Sequence, residues 1–65
     1  MIRVLEDGWR EEASEGPYTE TLQTKDGWSI IRYYGESLFR LEKNGKEIRK
    51  FRTIENAKKK VDSVK

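Results

Sequence analysis

TKDGWSIIRYYGESLFRLEKNGKEIRKFR, residues 24–52, is the stretch on which the fold turns. It contains Asp26-Gly27 and Asn44-Gly45, dipeptides that favour type I′ hairpin turns because both central residues of such a turn take positive φ. Around them WSIIRYY, SLFRLEK and KEIRKFR alternate apolar and polar residues with period two, broken once more at Gly35-Glu36. Just upstream, YTETLQT at 18–24 supplies another strand-like run. The stretch reads as an antiparallel meander.

A two-residue turn at Asn44-Gly45 sets Leu41 opposite Ile48 and Arg40 opposite Arg49. Equally tight turns at Gly35-Glu36 and Asp26-Gly27 then place Ile30, Leu41 and Ile48 on one face, with Trp28 and Phe39 close by. That is the expected core face. Leu22, Ile31, Tyr33, Leu38 and Phe51 fall on the other, mixed with Glu20, Arg40, Glu42, Glu47 and Arg49. A bulge in any strand exchanges these assignments beyond it, because a one-residue slip turns every side chain over.

Working outward, the tail TIENAKKKVDSVK changes period: Ile54, Ala57, Val61 and Val64 share one helical face. Thr53 suits the N-cap and Glu55 complements the helix dipole. Lys58, Lys59 and Lys60 point in three directions around such a helix, so the lysine run is read as a solvated face, with Lys58 nearest the sheet edge. Toward the amino terminus, LEDGW at 5–9 repeats the Asp-Gly signal of a two-residue turn, and REEASEGP is an acidic loop or boundary ending in Gly16-Pro17. Val4, Leu5 and Trp9 are available to cover the sheet, and both tryptophans are read as core residues before stacking platforms.

The expected organisation is one α+β domain over 1–65. An acidic arm over 1–17, with room for a short strand, precedes a three- or four-stranded antiparallel β-meander over 18–52. A C-terminal α-helix over 53–64 packs on one face. Sixty-five residues are near the lower limit for a single core without disulfides or metals, so a homodimer is one available source of added stability.

The sequence has no Cys and no His, which removes thiolate nucleophiles, imidazole bases and the usual zinc constellations. The carboxylates, lysines and tyrosines show no paired catalytic spacing, so no enzyme and no cofactor is expected. Neither a signal-peptide pattern nor a long apolar run occurs, and the expectation is a soluble, cytoplasmic protein without membrane contact.

Net charge is +2, but residues 1–24 carry two basic and six acidic groups, whereas residues 40–65 carry ten basic and four acidic. The ends are therefore −4 and +6, which points to an anionic partner for the basic half or to association of opposite ends. Arg40 and Arg49, with Tyr33 beside them and Lys43 and Lys46 at the hairpin tip, form a candidate cationic and partly aromatic surface for phosphates.

A strand pair closing on a turn, followed by KFRTIENAKKKVD, resembles the small amino-terminal DNA-binding domains of phage and transposon integrases. It also resembles the plant ethylene-response-factor domain. The likeness covers the last forty residues. It implies a sheet that enters the major groove of duplex DNA, with Arg40 and Arg49 on the reading face, Tyr33 adjacent, and Lys43 and Lys46 near phosphates. Small charge-rich domains also resemble accessory proteins of phages and mobile elements that bind a host protein. On that reading the acidic arm EDGWREEASE or the second sheet face docks an inhibitor or adaptor on its target.

Overall fold

The computed structural model describes residues 2–12 and 19–64. Six strands form one antiparallel sheet in sequential order: β1 (Ile2–Val4), β2 (Arg10–Glu12), β3 (Thr19–Lys25), β4 (Trp28–Tyr33), β5 (Phe39–Lys43) and β6 (Lys46–Phe51). One helix, α1 (Ile54–Ser63), follows and packs over β4, β5 and β6. The α+β class and the carboxy-terminal helix agree with the sequence. The strand number is corrected from three or four to six, because the segment expected to be an arm with at most one short strand contributes two. Of that arm, residues 1 and 13–17 lie outside the described residues. No helix among the described residues is long and apolar enough to cross a membrane.

Turn chemistry accounts for the meander. At Asp26-Gly27 the φ angles are 50° and 84°, and at Asn44-Gly45 they are 53° and 84°, the type I′ pattern that matches the twist of paired strands. The Asp7-Gly8 turn differs from the expected two-residue form. Leu5 N donates to Trp9 O at 2.7 Å and Gly8 N donates to Leu5 O at 3.0 Å, which closes a three-residue loop with Gly8 at φ 88°. Asp7 Oδ1 accepts from Trp9 N at 3.1 Å and fixes the entry into β2. Between β4 and β5 the tight turn is replaced by a loop over 34–38, opened by Glu36 N donating to Tyr33 O at 3.1 Å.

Despite that longer loop, Ile30 pairs with Leu41 as expected, and Gln23 pairs with Ile30 on the other side. The expectation fails in the hairpin whose turn it read correctly. Lys43 pairs with Lys46 and Glu42 with Glu47, but a bulge follows, so Leu41 faces Arg49, Arg40 faces Lys50, and Phe39 faces Phe51. Ile48 is extruded and 48 % exposed, so it is not the core residue expected. Straight pairing would bury Ile48 and turn Phe51 to solvent. The bulge instead delivers the larger aromatic to the core, two residues before the Thr53 cap, so the chain leaves β6 on the side to which α1 must return.

Thr53 has extended backbone and its hydroxyl accepts from Asn56 N at 3.2 Å, satisfying one of the free amides of the first turn. From there Ala57 and Val61 bury against Ile30, Leu41 and Trp9. Trp9 is 2 % exposed and belongs to the arm, which is therefore an integral part of the core. Leu5, Trp28, Phe39, Phe51 and Ile54 close its rim.

Candidate nucleic-acid interface

Alternation of side chains, anchored by buried Ile30 and Leu41 beneath the helix, assigns the remaining strand residues to faces. Tyr33 and Arg40 lie on the face away from α1. Lys43, Lys46 and Arg49 lie on the helix side, since Lys43 pairs with Lys46 and Arg49 with Leu41. The five residues expected to form one surface are thus divided between two. The opposition of Arg40 and Arg49 is replaced by Arg40 and Lys50, a direct consequence of the bulge at Ile48.

Arg40 is held by its own chain. Its Nη2 donates to Glu36 Oε2 at 2.6 Å, its Nε lies 3.9 Å from Glu47 Oε1, and its guanidinium carbon sits 5.2 Å from the centroid of the Tyr33 ring. The hydrogen bond to the Glu36 carboxylate raises the Arg40 pKa above its ordinary value, and the charges of Glu36 and Glu47 add to that. A guanidinium flanked by two carboxylates presents little net field to an incoming phosphate.

The helix side of β6 is arranged differently. Lys46 and Arg49 are exposed, and Arg49 stacks its guanidinium 5.4 Å from the centroid of Phe51. Lys43 places its Nζ 4.8 Å from the centroid of Trp28 and donates to Asp26 O at 2.9 Å. The β6 carboxylate, Glu47, pairs with Glu42 and projects from the opposite face.

Helix geometry adds a fourth cation. Lys58 reaches toward β1 and β2, where its Nζ lies 2.7 Å from Asp7 Oδ2 and 5.6 Å from the centroid of Trp9. That hydrogen bond is the main cause of the lowered Asp7 pKa. Two residues further on, at about 100° per residue, Lys60 falls on the opposite flank of the Ile54–Ala57–Val61 stripe and so faces β6. Lys43, Lys46 and Arg49 therefore share the helix side of β5 and β6, with Lys60 on the flank of α1 turned toward that edge, while the Lys43 ammonium points to Trp28 and Asp26. The helix carboxylates Glu55 and Asp62 fall on the Lys58 flank. Sequence reasoning missed Lys60 because it treated the lysine run as solvated and never placed the helix relative to an edge strand. The signal that locates it is the Asp7–Lys58 pair.

Between the β3–β4 turn and the carboxy-terminal end of α1 a groove of about 330 Å³ is lined by Lys25, Asp26, Trp28, Lys43, Val61 and Val64. Trp28 is half-buried, and Val64, expected within the apolar stripe, is 49 % exposed at the groove's edge. No family model, no curated protein and no solved structure matches the chain.

Proposed function

We propose that this chain is a non-catalytic nucleic-acid-binding protein, with duplex DNA as its ligand, acting in an accessory or regulatory role through the seam between α1 and β6. The observation that carries this reading is the separation of charges across β6. Lys46 and Arg49 stand exposed on the helix side, with Lys43 and Lys60 beside them, whereas Glu42 and Glu47 project to the other face with Arg40. Phosphates are held chiefly by Lys and Arg side chains, and a row of cations clear of carboxylates is the arrangement such contacts need. Of the five residues singled out in the sequence, Lys43, Lys46 and Arg49 remain in the proposed site, while Arg40 and Tyr33 serve the opposite face.

Four phosphate contacts give a salt slope of about −3.6, which is a loss of about 150-fold in affinity between about 50 and 200 mM salt. Titration of a fluorescent duplex at these two salt concentrations tests this. The double substitution Lys46→Ala/Arg49→Ala is expected to remove about half of the slope, while Arg40→Ala leaves affinity within about twofold. Absence of binding at about 50 mM salt overturns the proposal, as does a larger loss from Arg40→Ala than from the double substitution.

A second reading, a protein-binding inhibitor or adaptor, draws on the uncovered sheet face, where Leu22 and Ile31 pair half-buried with no described element over them.

A further inference from the structure

On the sheet face opposite α1, Arg40 is paired with Glu36 and Glu12 accepts from Thr24 Oγ1 at 2.9 Å, while Arg10 and Glu42 are in no ion pair among the described residues. The pairing runs in rows across the strands. One row is Val4, Arg10, Thr24, Ser29, Glu42 and Glu47, taken from β1 to β6. In the next, Ile2 pairs with Glu12 at one edge, and Leu22, Ile31, Arg40 and Lys50 continue to the other. Basic and acidic residues thus exchange places between β2, with Arg10 and Glu12, and β5, with Arg40 and Glu42.

We infer that this face is the self-association surface of the protein, covered by a second copy related by a two-fold axis that runs along the strands between β3 and β4. Such an axis keeps each row in place and exchanges β2 with β5 and β3 with β4. Arg10 of one copy then meets Glu42 of the other, and Glu12 meets Arg40, each twice by symmetry. At the centre Leu22 lies over Ile31, and Thr24 over Ser29. A two-fold axis across the strands would instead set Arg10 against Glu12 and Arg40 against Glu42, so the two packings are told apart by which charge reversals compensate each other.

The geometry is that of an aligned β-sandwich, with sheets about 10 Å apart and crossing at about 30°. Strands β2 and β5 lie about 7 Å from the axis, where a 30° crossing displaces facing residues by about 4 Å, within reach of Arg and Glu side chains. Six strands about 4.8 Å apart and about 17 Å long offer roughly 400 Å² of flat area per copy, so the dimer belongs with small, weak interfaces. The seam of Lys43, Lys46 and Arg49 stays on the outer surface of both copies, so self-association and phosphate binding are separable.

Sedimentation of the full chain across a concentration series reads the association directly. The wild type is expected to pass from monomer to dimer in the range of about 10–100 µM. Arg10 and Glu42 make the best test pair, because neither is in an ion pair among the described residues. Arg10→Glu alone, or Glu42→Arg alone, is expected to weaken association at least tenfold, and the two together to restore it. Within one chain β2 and β5 are about 14 Å apart, too far for the restoration to be intramolecular. Wild-type amide shifts that move with concentration at Leu22, Thr24, Ser29 and Ile31, and stay fixed at Lys46 and Arg49, support the same surface without any substitution. A wild type that remains monomeric to about 1 mM overturns the inference. So does a dimer insensitive to both reversals, which belongs to another surface such as the β1 edge, and so does a face that binds a foreign protein while the chain stays monomeric.

Discussion

Replacing Trp9 by Ala separates an arm that merely trails the sheet from one that completes the core. Trp9 is 2 % exposed and contacts a core otherwise made of Ile30, Leu41, Ala57 and Val61. Truncating a buried Trp to Ala costs about 3–5 kcal/mol through lost transfer energy and the cavity left behind. A 65-residue domain at about 0.05–0.15 kcal/mol per residue has roughly 3–10 kcal/mol in total. The substitution should therefore remove a large part of the stability, and at the lower end of that range all of it. Guanidinium unfolding followed by far-UV circular dichroism gives the midpoint for both proteins. In Trp9→Ala, Trp28 becomes the sole tryptophan and reports whether the β4–α1 region melts with the rest. Trp28→Ala is the control, with a smaller loss expected because its ring is half-buried beside an open groove. A loss of less than about 1 kcal/mol for Trp9→Ala would refute the placement of the arm in the core.

Two further outcomes follow from the bulge and the turns. Phe51→Ala should cost about 2–3 kcal/mol, discounted for partial burial, while Ile48→Thr should stay within about 0.5 kcal/mol; denaturant midpoints that reverse this order restore the straight pairing. At Gly27 an added Cβ would lie 2.7 Å from Asn44 Oδ1 in addition to the positive φ, whereas at Gly45 it meets nothing within 4 Å, so Gly27→Ala should lower the thermal midpoint more than Gly45→Ala.

Turns were the most legible part of the sequence, because Asp-Gly and Asn-Gly carry their conformation locally. Alternation between them was legible for the same reason, and it placed Ile30 and Leu41 in the core correctly. The β5–β6 register was not, since it depends on a competition that no local rule decides: Ile48 and Phe51 cannot both face the helix across a straight strand. Burial of the larger ring, and the need to leave β6 on the helix side, settle that competition at the tertiary level. Trp9 was legible as a core residue, but the two strands of the arm were not, on other grounds. They are three residues each, too short to show a period, and their stability comes from Trp9 and from the Asp7–Lys58 contact 51 residues away along the chain.

The same bulge reorganised the candidate site. Read straight, β6 sets Arg49 and Arg40 on one face and makes the sheet a cationic surface. With one residue extruded, Arg49 crosses to the helix side and joins Lys46, while Arg40 stays with Glu36 and Glu47. One face becomes balanced in charge and the other basic, and the two proposals rest on that difference. A balanced face with opposite charges exchanged between β2 and β5 suits its own copy, and a cationic seam beside a helix suits phosphate. Deleting Ile48 joins both assignments in one test. The shortened strand pairs without a bulge and keeps Arg49 opposite Leu41 and Phe51 opposite Phe39, so phosphate binding and stability should both survive it, and loss of both would refute the bulged register.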